Sequence, residues 1–165
     1  MQLVDDKTLQ WSWRSVVSAY QVCSQKYAVL MKHFDLTPSQ FDVLLAFESL
    51  GKHATPKRIA EHLLVTKGNI TGVTKRLLER KVLQTTVNAE DARSIHYVLT
   101  ESGQTIVCDA KRAGKRFIRE QLAPFSEDEI EKVGTLMQQM RIHLEKMDID
   151  TLLSNTPQSI AREKN

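Results

Sequence analysis

The chain has 165 residues, 41% hydrophobic and 26% charged, with six glycines and four prolines. That balance fits one helical globular domain, or two small lobes sharing a core, and excludes a disordered polyelectrolyte. Net charge is +3, but Lys52 to Thr86 holds eight bases against two acids and so carries +6, leaving −3 for the remainder. A basic block in an otherwise slightly acidic chain suggests a localised surface for a polyanion, although charge alone would favour a solvated lysine face.

The first helix is read over about Leu9 to Phe34, where Trp13, Val16, Tyr20, Cys23, Tyr27, Leu30 and Phe34 recur at spacings of three and four and define one stripe. The second starts at "TPSQ": Thr37 is the N-cap, Pro38 suits the first helical position, Gln40 completes a capping box, and Gly51 ends it after Phe41, Leu44, Leu45 and Phe47. Thr55-Pro56 repeats the start signal for a short third helix with Ile59, Ala60 and Leu63 inward. After "LVT", Thr66 caps a fourth helix that runs to about Lys81.

The period then changes. "VLQTTV" and "SIHYVL" read as strands joined by the polar "NAEDAR", a hairpin. Thr100 and Glu101 open a long fifth helix with Ile106, Ala110, Ala113 and Phe117 on one side, broken at Pro124. "SEDE" (Ser126 to Glu129) is another capping box. The helix it starts places Ile130, Val133, Met137, Met140, Leu144 and Met147 at 3-4-3-4-3, a heptad seam too apolar for an exposed face. The tail beyond Leu153 is polar. The fold class expected is therefore mostly α (α+β): a winged helix-turn-helix lobe over 37–103, a helical dimerisation region over 1–36 and 104–153, and a tail over 154–165.

The fourth helix has the wheel of a recognition helix. Ile70, Val73, Leu77 and Leu78 form the side expected to be buried, and opposite them lie Gly68, Asn69, Thr71, Gly72, Lys75 and Arg76. Amides, hydroxyls and cations are the groups that read base edges or clamp phosphates in a major groove. Thr66 leaves free N–H groups at the positive end of the helix for a phosphate. An ordinary amphipathic surface helix would share the wheel but not the adjoining hairpin and basic block. On the hairpin tip, Arg93 suits insertion into a neighbouring minor groove, with Asp91 holding its guanidinium; the bland alternative is a surface ion pair of negligible energy.

Three stretches, "LTPSQFDVLLAF", "IAEHLLVTKGNITGVTKRLLERKVL" and "DAR…YVLTESG", make the chain resemble the MarR family of transcriptional regulators from about Trp11 to Met147. The resemblance implies a homodimer held by its terminal helices, two winged lobes on a palindromic operator, and repression relieved by a small ligand or by oxidation. Carried over by position, double-stranded DNA would meet Lys67, Gly68, Asn69, Thr71, Lys75 and Arg76, with Asp91 and Arg93 as the wing pair. The chain departs from the family pattern in having Lys81 where a glycine is usual before the first strand, which implies a different turn, and Glu90 and Ala92 where the wing often has another base.

Other residues compete for roles. Cys23, with Tyr20 and Tyr27 on its stripe, reads either as a redox or ligand site of the kind some family members carry on this helix, or as core packing, which is favoured. A small aromatic ligand bordered by Tyr20, Tyr27 or Trp13 is the corresponding partner. Two cysteines make no disulfide framework, and the five histidines lack metal-ligand spacing, so neither a metal nor another cofactor is expected. No nucleophile elbow, phosphate loop or paired carboxylates point to an enzyme. A winged helix that binds a partner protein without reading DNA is the alternative. No apolar run is long enough to span a membrane, and Met1 to Asp6 has neither segment of a signal peptide, so no membrane partner and a cytoplasmic location are expected.

Overall fold

The computed structural model describes residues 4–51, 54–87 and 95–154. Its contacts divide the chain into two compact units, 1–119 and 120–165.

In the first unit α1 (Asp6–Lys32) begins three residues before the predicted start, because Asp5 accepts from the Thr8 N–H (3.0 Å) and caps it. In α2 (Pro38–Leu50) Thr37 and Gln40 form the reciprocal capping box (3.2 and 2.9 Å), and Gly51 with φ 51° ends the helix. Phe41, Val43, Leu44, Ala46 and Phe47 are buried, so α2 is the central helix, apolar nearly all round. Helices α3 (Pro56–Leu63) and α4 (Lys67–Glu79) follow, each capped by the predicted threonine. Strands β1 (Leu83–Val87) and β2 (Ile95–Leu99) pair antiparallel with Leu83 opposite Leu99 and Thr85 opposite Tyr97. Tyr97 meets Phe47 edge-on at 5.7 Å, fixing the hairpin to α2.

Helix α5 (Glu101–Leu122) turns its predicted side inward, with Ala110 buried and Ile106, Ala113 and Phe117 half-buried, and it also buries Gly103, Val107 and Gly114, which the apolar spacing omitted. Gly103 sets how closely it packs. A Cβ there would lie 2.1 Å from the Val82 carbonyl oxygen, so only glycine admits this approach. Thr100 completes the joint, accepting from the Gly103 N–H (3.0 Å) and donating to the Lys81 carbonyl (2.7 Å).

The α1 stripe is half right. Tyr27, Leu30 and Phe34 pack against the core, and Tyr27 stacks at a tilt on Phe117 (5.7 Å), but Trp13 and Tyr20 are 66% and 71% exposed. Met31, outside the predicted stripe, is fully buried. The stripe runs for the whole helix, whereas only its C-terminal third has α2 and α5 to lie on.

In the second unit α6 (Glu127–Glu145) starts with the predicted capping box, Ser126 and Glu129 exchanging bonds of 3.4 and 2.9 Å. None of its residues is buried: Val133, Met137, Met140 and Leu144 of the heptad seam are all exposed, with Met147 just beyond the helix. A further short helix, α7 (Ile149–Ser154), capped by Asp148 through Thr151 (2.6 Å) and the Asp150 N–H (3.0 Å), was hidden in sequence by its length.

Candidate nucleic-acid interface

Three consecutive threonine-started elements, α2, α3 and α4, bring one helix to the surface. Thr66, extended at φ −75° and ψ 148°, accepts from the Asn69 N–H (3.4 Å), which leaves the other first-turn N–H groups of α4 open to solvent. Ile70, Val73 and Leu77 are buried as the wheel requires, and Leu78 is half-buried. Thr74 joins the buried side unexpectedly, with its hydroxyl lacking a partner, a residual cost inside the helix–core contact.

All the outward residues are exposed: Lys67, Gly68, Asn69, Thr71, Gly72, Lys75 and Arg76, beside the exposed cap Thr66. Thr71 donates its hydroxyl proton to the Lys67 carbonyl (3.1 Å), so toward a ligand it presents lone pairs and a methyl. Lys75 reaches Glu79 at 3.9 Å, an exposed pair worth at most about 0.5 kcal/mol and therefore easily exchanged for a phosphate. A Cβ added at Gly68 or Gly72 would meet nothing within 4 Å. The protein's own packing thus makes no demand for glycine at either site. Each still forgoes up to about 1 kcal/mol of helix propensity.

Two bases of the polyanion block face other duties. Arg80 caps α4 and its guanidinium donates to the Asp35 carbonyl in the α1–α2 turn, tying the recognition helix to the first helix. Nothing in the spacing separates Arg80 from the outward cations; only its place at the cap does. Lys81 stands in the left-handed region at φ 57°, so the turn after α4 has the backbone that glycine favours, with lysine in it, rather than a different path.

Asp91 and Arg93 lie outside the described residues. The described strands pair as far as Val87 opposite Ile95. Along α1, Tyr20 is exposed, while Cys23 and Tyr27 are half-buried. The Tyr27 hydroxyl is pushed above its ordinary pKa of 10.0, first by burial, then by the Asp42 carboxylate and by the charge of Cys23. The structure groups Cys23 with Tyr27 and leaves Tyr20 pointing outward; Cys108, on α5, is exposed, and no disulfide joins the two cysteines.

Helix-turn-helix, paired wing strands and an outward cationic face are now in place. Residues 34–94 match the MarR family of protein sequences. Over that winged stretch the chain is similar to the MarR family. Over 145 residues, 83% of this chain and 91% of the relative, it is 28% identical to an uncharacterised helix-turn-helix transcriptional regulator of Bacillus cereus. It is 30% identical over 82 residues to the regulator SarZ of Staphylococcus aureus, a match that covers half of this chain and 55% of SarZ. The crystal structure of S. aureus MepR bound to DNA superposes with a TM-score of 0.68 at 22% identity, covering 81% of this chain and 96% of MepR, a likeness of fold. MarR-family proteins are transcriptional regulators rather than enzymes, and α3, α4 and the hairpin of this chain are arranged as a winged helix-turn-helix. No helix among the described residues is long and apolar enough to cross a membrane.

Proposed function

We propose that this protein is a MarR-family, sequence-specific cytoplasmic regulator that binds a palindromic operator as a homodimer, represses, and is released by a small ligand or an oxidant. The observation that carries the DNA reading is the outward face of α4. Thr66, Lys67, Gly68, Asn69, Thr71, Lys75 and Arg76 give open N–H groups, cations, an amide and a hydroxyl around two glycines that packing does not require. Such a surface suits a major groove: Lys67, Lys75 and Arg76 for phosphates and guanine edges, Asn69 for adenine, and bare backbone where the groove wall comes nearest. Arg93 is assigned to the minor groove alongside, with Asp91 holding its guanidinium.

Dimerisation is argued from the apolar residues that the single chain leaves uncovered. Trp11, Trp13 and Tyr20 on α1, and Val133, Met137, Met140 and Leu144 on α6, are exposed, an arrangement poorly suited to a monomer in water. Two-fold symmetry then matches a palindrome. Release is assigned to the α1 region, by an aromatic ligand against Tyr27 or by oxidation of Cys23 beside it.

The test is binding to DNA from the regions flanking the protein's own gene, followed against salt. If Lys67, Lys75 and Arg76 of both protomers neutralise phosphates, log K should fall against log salt with a slope of about −5. Lys75→Ala should weaken all sequences alike and reduce that slope by about one per subunit. Absence of salt-dependent binding to any fragment would favour instead a winged helix that docks on protein.

A further inference from the structure

Leu64, the residue that stops α3, combines two costs. It sits in the left-handed region (φ 55°, ψ 42°), where the Cβ of an L-residue crowds the following carbonyl and where helices usually place glycine. Its side chain is also 79% exposed, more than any other large hydrophobic among the described residues. The backbone there is dictated by the helix stop: the Val65 N–H returns to the Ala60 carbonyl (3.0 Å) and the Leu64 N–H to that of Glu61 (3.4 Å). The leucine is not. Glycine would satisfy the same hydrogen bonds without strain and without exposed apolar area.

Among the described residues the other two non-glycine residues at positive φ, Asp35 and Lys81, carry polar side chains at home in water, and their carbonyls are held by Arg80 and Thr100. Leu64 alone pairs the strained backbone with apolar exposure. Retained strain at an exposed position points to a contact made outside the chain.

Location identifies that contact. Leu64 precedes the N-cap Thr66 by two residues, and Lys67, Gly68 and Asn69 follow directly on the outward face. Whatever seats on the N-terminus of α4 reaches Leu64 as well. In a major groove the apolar group available on a base edge is the thymine C5-methyl; the other edges present donors and acceptors that a leucine would desolvate without return. We propose that Leu64 is a specificity-determining residue that lies against a thymine methyl at the edge of the half-site. This rests on the DNA-binding reading above.

The experiment uses the full-length protein on its own operator, and on copies in which thymines of the half-sites are replaced one at a time by deoxyuridine, which differs only by that methyl. Wild type should lose about fourfold per half-site at one position, the equivalent of one buried methyl. Leu64→Gly should bind the thymine operator more weakly than wild type and show no thymine preference at that position. Relieved of the left-handed leucine, it should also melt a few degrees higher. Leu64→Met, apolar and of similar reach, should keep the preference. Higher stability with lower, methyl-blind binding is an outcome that a merely structural leucine cannot produce. Equal wild-type binding to thymine and uracil at every position, or an unchanged preference in Leu64→Gly, would overturn the assignment while leaving DNA binding intact. Loss of wild-type binding to every salt-tested fragment would instead overturn the DNA reading itself.

Discussion

Gly72→Ala separates the demands of the free protein from those of the complex. Gly72 lies inside α4 on its exposed face, and a Cβ there would touch nothing within 4 Å. Alanine should therefore gain the full helix-propensity difference, about 1 kcal/mol, with no steric loss to offset it. For a chain of this size that raises Tm by about 2–4 °C. In the complex the sign reverses. If Gly72 lets the backbone of α4 approach the groove wall, one added methyl must push the helix back or force the DNA to yield. Stretching the neighbouring contacts of Thr71, Lys75 and Arg76 in this way should cost at least about 1.4 kcal/mol, tenfold in Kd. Calorimetric melting and fluorescence anisotropy on a labelled operator, at two salt concentrations, give both quantities from one preparation. Because no charge changes, the salt slope should stay at its wild-type value while the whole line drops. A variant that melts higher and binds as well as wild type would refute the close approach. One that melts lower would show that the glycine serves the fold after all.

The other predictions concern parts of the chain further from α4. Met140→Lys with Leu144→Lys should give monomers by analytical ultracentrifugation and weaken operator binding by more than tenfold, and a wild type that sediments as a monomer at micromolar concentration would remove the basis for the dimer. Arg93→Ala should cost about 1–3 kcal/mol in operator affinity, most on sites with a narrow A·T-rich flank; equal losses on operators that differ only in that flank would make Arg93 a phosphate contact. Peroxide should release DNA from wild type and not from Cys23→Ser, and identical responses would leave Cys23 as packing. The Ser126 N–H and hydroxyl hold the Glu129 carboxylate below its ordinary pKa of 4.5. A lowered folded value means its capping contribution is complete above about 4.5 and lost as pH falls through the lower value, so helicity followed by circular dichroism from pH 7 to 3 should fall more in wild type than in Glu129→Gln.

Element starts were the most legible part of the fold. Thr37, Thr55, Thr66 and Ser126 each cap the predicted helix, because a cap is a local hydrogen bond between residues three apart and needs no tertiary context. The outward face of α4 was legible for a similar reason: a helical period assigns sides once the start is known. The close approach of α5 was not: its buried line runs also through Gly103, where the absence of a side chain lets the helix come against the Val82 carbonyl. Hydrophobic periodicity weights what is present and is blind to a contact made by what is missing.

Two further distinctions escape the sequence for one cause. Trp13 and Tyr27 share a stripe on α1, and Arg80 and Arg76 share a basic block, so by type and spacing the members of each pair are equivalent. The structure separates them: Tyr27 meets Phe117 while Trp13 meets water, and Arg76 faces outward while Arg80 is spent on the Asp35 carbonyl. Apolar spacing states that a face wants covering, and charge clustering that a face wants a counter-charge; neither states which neighbour supplies it. For Arg80 that neighbour is a turn 45 residues away in the chain. For Trp13 and the α6 seam no covering residue exists among those described in this chain. Such surface costs roughly 25 cal/mol for each Å² left in water. Leu64 poses the same problem on a smaller scale, with strain added. As proposed, each such residue has a second molecule to lie against: another copy of the chain for α1 and α6, and a duplex for Leu64. The proposed regulation by release would have a physical route if a change at Cys23 or Tyr27 displaces α1, because Arg80 ties the turn that ends α1 to the C-terminal cap of α4.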